Sequence, residues 1–148
     1  MTQPMDGVRI IDLSAVVMGP FATQLLGDLG ADVIKVEPPD GDILRHIAPM
    51  KNPAMGHIYL HHNRNKRSIV LDLKKPEGLE ALQKLLKTAD VLFYNVRPQA
   101  MKRLKLSYED VAAINPQIIY VGAYGFSQRG PYAAQPAYDD LIQGMSAM

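Results

Sequence analysis

Short apolar runs alternate with segments of helical periodicity along the whole chain. The runs are rich in Val and Ile, as is typical of strands that are buried on both faces of a parallel sheet. They predict strands at 8–13, 33–37, 68–73, 91–94 and 118–124. Because helical segments separate these strands, the pattern predicts an α/β protein with a Rossmann-like open parallel sheet and helices on both faces.

Proline, glycine and serine mark the ends of the predicted helices. Pro20 lies in the first turn of a helix that runs to Leu29, and Gly30 is a candidate C-terminal cap. Ser107, with Asp110 three residues later, is a candidate N-cap. Further helices are predicted from residue 76, at 101–106, at 108–114 and from residue 139, with a short one at 56–63.

Composition and charge exclude several classes of function. Of the 148 residues, 47% are hydrophobic and 21% are charged, with 16 Lys and Arg against 15 Asp and Glu. A net charge of +1 and the absence of Trp give no basis for nucleic-acid binding. The absence of Cys excludes disulfides, thiolate metal sites and a cysteine nucleophile.

The length predicts a single domain over residues 1–148. No apolar run approaches the roughly 18 residues of a membrane span, and the N-terminal residues do not resemble a signal peptide. We therefore expect a cytoplasmic protein with no membrane partner. The last helical pattern stops at Met148 without a capping residue, so we also expect this domain to be a fragment of a longer chain.

In open α/β sheets, ligands bind at the carboxyl ends of the strands. The first such loop, 14–20, leads into a helix N-terminus, a geometry that attracts phosphate. It contains neither the dinucleotide-binding glycines nor a P-loop. Glu37 ends the second strand, where dinucleotide-binding folds hold a ribose, so an NAD-binding domain is a weak alternative.

Two basic segments lie beside predicted strands on this edge. The first is 63–67 (NRNKR), for which a solvated loop and a clamp for phosphate or carboxylate are both open interpretations. The second follows the fourth strand and contains Arg97, Lys102 and Arg103. Two basic segments at one edge favour an anionic small molecule as the ligand.

Other candidate groups give weaker signals. His57 and His61 are one helical turn apart, but the sequence offers no third metal ligand, so we predict no metal site. Asp139 and Asp140 begin a helix, where carboxylates interact favourably with its dipole. Neither serine candidate, Ser14 or Ser127, lies in a nucleophile-elbow pattern.

Several motifs, in order along the chain, resemble the N-terminal part of class III CoA-transferases. They are MDGVRIIDL at 5–13, GP at 19–20, LGDLGADVIKVE at 26–37, NKRSI at 65–69 and GPY at 130–132. Formyl-CoA transferase, carnitine CoA-transferase and α-methylacyl-CoA racemase belong to this group. The resemblance implies a longer two-domain chain whose homodimer consists of interlocked rings, with residues 1–148 as the Rossmann-like CoA-binding domain.

The resemblance also implies acyl-CoA and a carboxylic acid as substrates, with no permanently bound cofactor. Arg103 is the strongest single candidate for a CoA ligand, because the phosphates of CoA require fixed cations. Val17 and Pro38 depart from the residues of formyl-CoA transferase, which argues against that enzyme's substrate preference. The implied CoA ligands are Val17, Met18, Leu71, Asn95, Val96, Arg97 and Arg103.

In the reaction of this family, an aspartate attacks the acyl-CoA thioester and forms a mixed anhydride, and the CoA thiolate then returns to give an aspartyl-CoA thioester. The resemblance puts this aspartate beyond residue 148, so we expect no catalytic residue in the chain and no activity from it alone. The racemase branch carries a His base where this chain has Tyr138, and a phenol is a poor base at neutral pH. A racemase-type enzyme and a non-catalytic CoA-binding module are the alternatives to a transferase.

Overall fold

A single five-stranded parallel sheet organises the molecule. The computed structural model describes residues 2–147. The strand order is β3-β2-β1-β4-β5, so the order reverses direction between β1 and β4. The strands are β1 (Arg9–Asp12), β2 (Asp32–Glu37), β3 (Lys66–Val70), β4 (Val91–Tyr94) and β5 (Ile119–Gly122).

Helices cover both faces of the sheet, as predicted. Their bounds are α1 (Met18–Asp28), α2 (His57–His62), α3 (Pro76–Leu86), α4 (Pro98–Arg103), α5 (Tyr108–Ile114) and α6 (Asp139–Ser146), with a 3-10 turn at Ile43–His46. On the α3 and α5 face, Leu82 and Leu86 pack against Ile11 and Leu92 in the main apolar core. On the α1 face, the apolar cluster is smaller and is centred on Ile10. The predicted fold class is therefore confirmed.

Several element boundaries differ from the sequence prediction by one to three residues, most clearly at β3 and α4. β3 runs from Lys66 to Val70 rather than over 68–73, because Lys66 and Arg67 already pair with Val33 and Ile34 of β2. α4 begins at Pro98 rather than at residue 101, since proline fits the first helical position. It ends at Arg103, and the left-handed backbone of Lys105, with φ of 55°, separates it from α5. The predicted capping pair of Ser107 and Asp110 is confirmed.

Helix α1 presents an unusual face to the sheet. Its buried residues are Gly19, Pro20, Thr23 and Gln24. Met18, Phe21 and Leu25 on this helix are 44% or more exposed, and Leu26 packs against the smaller apolar cluster. Polar groups face the sheet because the strands beneath α1 carry buried charged side chains.

None of the helices within residues 2–147 is both long enough and apolar enough to cross a lipid bilayer.

Candidate functional site

A cleft of about 730 Å³ opens at the carboxyl ends of β1, β4 and β5. It lies at the point where the strand order reverses, the usual ligand position in open α/β sheets. Its volume falls within the range of small-molecule sites. Three walls enclose it: the loop after β1, the loop after β4, and the segment from β5 to the first turn of α6. Five of the seven predicted CoA ligands line this cleft: Val17, Met18, Asn95, Val96 and Arg97.

Asn95 joins two of these walls. Its Oδ1 accepts a hydrogen bond from the Ala15 amide at 3.0 Å, and its Nδ2 donates to the Ala15 carbonyl oxygen at 2.8 Å. The side chain that sequence reasoning assigned to CoA therefore holds the loop after β1 against the loop after β4. This contact depends on the packing of residues 80 positions apart, and no local sequence signal indicates it.

The loop after β1 is strained at Val16. This residue has φ of 69°, a left-handed conformation that is a genuine outlier for a β-branched side chain. Such a conformation costs on the order of 1–3 kcal/mol and persists only when surrounding contacts determine it. Close packing supplies one such contact: a Cβ added to Gly19 would lie 2.4 Å from the Ser14 Cβ, so only glycine lets α1 approach the loop this closely.

The cations of the first basic segment are all paired with carboxylates. Arg64 pairs with Asp28 at 2.6 Å, Lys66 pairs with Asp12 at 2.9 Å, and Arg67 pairs with Asp32 at 2.6 Å. Segment 63–67 is therefore not a free anion clamp, and it lies at the amino end of β3 rather than at the ligand-binding edge. Arg64 and Arg67 remain partly exposed, whereas Lys66 is buried, and the three ion pairs connect this segment to α1, β1 and β2.

The cations of the second segment are free of such partners. Within residues 2–147, Arg97, Lys102 and Arg103 take part in no ion pair. Arg97 is exposed on the rim of the cleft. Arg103 is also exposed, but it lies at the end of α4 and does not line the cleft.

Leu71 also lies outside the cleft. It follows β3, and its amide donates to the Glu37 carbonyl oxygen at 2.9 Å. Its side chain packs against the apolar core on the α3 face. Leu71 and Arg103 are thus the two predicted ligands that the fold does not bring to the cleft wall.

Glu37 is occupied by protein groups and cannot serve as the ribose acceptor of an NAD site. Its carboxylate accepts from Arg45 at 2.6 and 2.7 Å, from Tyr59 at 2.9 Å and from Ser68 at 2.6 Å. Burial opposes its ionisation, but the hydrogen bonds from Arg45 and Ser68 outweigh this and lower the pKa of Glu37 from 4.5 to about 2.

Sequence reasoning missed two buried lysines behind the loop after β1. Lys35 donates to the Ser14 carbonyl oxygen at 2.8 Å and pairs with Asp42 at 3.0 Å, and both side chains of this pair are 1% exposed. Burial lowers the pKa of Lys66, the second of these lysines. Strand alternation gave a usable signal, because Lys35 lies on the opposite face of β2 from the core residues Ile34 and Val36.

Three tyrosines lie at or near the wall formed by the segment from β5 to α6, and sequence reasoning did not assign Tyr94 or Tyr124 to the site. The hydroxyl groups of Tyr94 and Tyr124 are hydrogen-bonded to each other, and burial raises the pKa of both. Tyr124 and Tyr138 line the cleft. The sequence signal for Tyr94 and Tyr124 was that each is the last residue of a predicted strand.

The remaining candidates are the histidines of α2 and the carboxylates at the start of α6. Nowhere in residues 2–147 do three or more His, Cys, Asp or Glu side chains form a group that could hold a metal ion. His61 stacks edge-on against His62 at 5.1 Å between ring centroids. Asp139 and Asp140 lie in the first turn of α6, as predicted.

Comparison with known proteins identifies the family. A family model described as CoA-transferase family III matches residues 5–148. The chain belongs to CoA-transferase family III. A succinate–glutarate CoA-transferase of Agrobacterium fabrum is 45% identical over 97% of this chain and 38% of its own length. A formyl-CoA:oxalate CoA-transferase of Streptomyces coelicolor is 41% identical over 95% of this chain and 34% of its own length.

Two solved structures share the fold of this family III chain. A CAIB/BAIF family protein from Brucella suis superimposes with a TM-score of 0.92 and 42% identity, covering 98% of this chain and 39% of that one. The Rv3272 protein of Mycobacterium tuberculosis gives a TM-score of 0.91 with 36% identity, covering 99% of this chain and 40% of that one. The chain thus spans little more than a third of the length of the relatives that it matches.

Proposed function

We propose that residues 1–148 form the CoA-binding domain of an enzyme that transfers CoA from an acyl-CoA to a free carboxylic acid. The observation that supports this proposal best is the cleft at the sheet reversal, with the unpaired Arg97 on its rim. A mostly apolar wall suits the pantetheine arm of CoA, and Arg97 suits a phosphate. Membership of CoA-transferase family III supports this class of substrate.

Within this proposal, the cleft residues have different tasks. Val17, Met18 and Val96 provide apolar contact, Arg97 binds phosphate, and Asn95 holds the two walls together. Leu71 and Arg103 contact CoA only where it extends beyond the cleft. We propose that the nucleophilic aspartate and the acceptor site are supplied by chain beyond residue 148, in a cytoplasmic homodimer.

Transferase chemistry requires a covalent intermediate that this domain does not supply by itself. We therefore expect the 148-residue chain to bind CoA without turning over any acyl-CoA in the presence of a free acid. Turnover by the purified chain would contradict this division of tasks. If the full-length protein binds CoA but transfers nothing, the non-catalytic binding module replaces the transferase. If it racemises α-methylacyl-CoA, the racemase branch replaces it.

Calorimetric titration with CoA and with NAD tests the binding step. CoA should bind more tightly, because the loop after β1 lacks the dinucleotide glycines and Glu37 is already bonded to Arg45 and Tyr59. NAD bound as tightly as CoA would overturn the proposal.

Two matched variants test whether CoA binds in the cleft. Val17 and Leu25 are exposed to similar extents, at 41% and 46%, but only Val17 lines the cleft. Val17→Glu adds a negative charge beside the phosphates and should weaken CoA binding at least about tenfold, whereas Leu25→Glu should leave it unchanged. Equal effects of the two variants would exclude this cleft as the CoA site.

A further inference from the structure

The peptide group between Ser14 and Ala15 is held at both ends, by a side chain of β2 and by one from the loop after β4. The ammonium of Lys35 donates to the Ser14 carbonyl oxygen at 2.8 Å, and the Ala15 amide donates to Asn95 Oδ1 at 3.0 Å. These two bonds fix the plane of one peptide at the point where the chain leaves β1. The next three residues, 16–18, form the wall of the cleft.

The orientation of this peptide determines the conformation that follows it. Val16 has φ of 69°, which a β-branched residue adopts only when neighbouring contacts hold it there. The bond from Asn95 Nδ2 to the Ala15 carbonyl oxygen holds the second peptide, the one that ends at the Val16 nitrogen. The strained residue is therefore anchored from Lys35 on one side of the loop and from Asn95 on the other.

Burying the charge of Lys35 carries a desolvation penalty, so packing alone does not explain a lysine at this position. It is 1% exposed on an inner strand, and its pair with Asp42 is equally buried. Apolar residues of similar volume often stabilise a core as well as a buried ion pair does. The feature that an apolar residue cannot replace is the hydrogen bond from Lys35 to the Ser14 carbonyl oxygen.

We propose that Lys35 is a positioning residue of the cleft, which acts through the Ser14–Ala15 peptide to hold Val16 in its strained conformation. Lys35 is not among the residues that line the cleft, so it affects the ligand only through this loop. The expected effect of Lys35 on CoA affinity rests on the proposed function. Its expected effect on the conformation of the loop after β1 is independent of that function.

Two variants separate the effect of the hydrogen bond from Lys35 to Ser14 from the effect of the ion pair between Lys35 and Asp42. The double variant Lys35→Met/Asp42→Ser removes both charges of this buried pair, and Ser keeps an oxygen for the capping bond that Asp42 now accepts from the Leu44 amide. The single variant Asp42→Ser is the matched control, since it leaves Lys35 unpaired but still bonded to Ser14. Amide hydrogen exchange at Ala15, divided by that at Ile11 in β1, reports on the loop independently of global stability.

We expect the Ala15-to-Ile11 exchange ratio to rise at least about tenfold in the double variant and to keep its wild-type value in the control. CoA affinity should fall about tenfold in the double variant and little in the control, although the control is the less stable protein. A ratio that does not rise in the double variant, or that follows stability in both variants, overturns the role of Lys35. If the wild-type chain does not bind CoA, the proposed function fails, and the exchange ratio still decides whether Lys35 positions the loop.

Discussion

The layer beneath α1 and the rim of the cleft use charge in opposite ways. Beneath α1, Lys35 and Lys66 are almost fully buried, and each is paired with a buried carboxylate. On the second basic segment, Arg97 and Arg103 are exposed and take part in none of the ion pairs found within residues 2–147. Basic residues that look alike in the sequence therefore differ in role: those beneath α1 are held in buried ion pairs, and those of the second basic segment are exposed to solvent.

This difference identifies which cations are available to an anionic ligand. A buried, paired lysine has already exchanged its water for protein partners, so binding a phosphate would require breaking those contacts. An exposed, unpaired arginine retains its five donors for a ligand. The paired layer thus shapes the loop after β1, while the rim provides the charge that would recognise CoA.

The largest effect is expected from breaking the paired layer at Lys66. In Lys66→Met, Asp12 would remain buried without its cation, and the free energy of unfolding should fall by about 3–5 kcal/mol in urea titrations. The double variant Asp12→Asn/Lys66→Met should recover part of this loss, because no unpaired charge remains. If the free energy of unfolding of Lys66→Met lies within about 0.5 kcal/mol of the wild-type value, the ion pair between Lys66 and Asp12 does not stabilise the fold.

A second prediction concerns pH and Glu37. Its pKa is lowered from 4.5 to about 2 in the folded chain, so its contribution is fully present above pH 4.5 and is lost as the pH falls towards 2. At about 1.4 kcal/mol for each unit of pKa, the contribution is about 3 kcal/mol. The free energy of unfolding should be measured between pH 7 and 2 for wild type and for Glu37→Gln. Other carboxylates also titrate in this range, so the difference between the two curves isolates Glu37. Parallel curves would contradict the prediction.

Much of the fold was accessible from the sequence, because local patterns determine it. Alternating apolar runs located all five strands, and the proline at 76 and the Ser107 capping pair located helix starts. The loops after β1 and β4 were predicted to share one edge of the sheet, because the carboxyl ends of parallel strands meet there, and both loops line the cleft. Family resemblance then supplied the individual cleft residues.

The ion-pair and hydrogen-bond partners of the polar side chains could not be predicted from local sequence patterns. Lys66 meets Asp12 only because β3 pairs with β2 in one register and α1 lies above both, and neither fact is local. Asn95 was assigned to a ligand although its amide holds Ala15. Arg103 was ranked highest because the phosphates of CoA require fixed cations, but the structure places it at the end of α4, outside the cleft wall.

The smallest effects are expected at the rim, where Arg97 and Arg103 can be compared directly. Arg97 lines the cleft, so Arg97→Ala should remove a charge-assisted contact worth about 1.5–3 kcal/mol, a tenfold to hundredfold loss of CoA affinity. Arg103 lies in solvent at the end of α4, where an ion pair contributes about 0.2–1 kcal/mol, so Arg103→Ala should cost about fivefold or less. Calorimetric titration with CoA measures both.

Lysine substitutions sharpen this comparison. Arg97→Lys should restore only part of the affinity, because a bidentate contact needs the guanidinium fork, whereas Arg103→Lys should restore all of it, since a point charge suffices in solvent. Arg67→Ala is the matched control: it removes a cation that is already paired with Asp32 and should leave CoA binding unchanged. A larger loss from Arg103→Ala than from Arg97→Ala would move the phosphate site out of the cleft to the end of α4, and the contrast between the cleft rim and the rest of the surface would then fail.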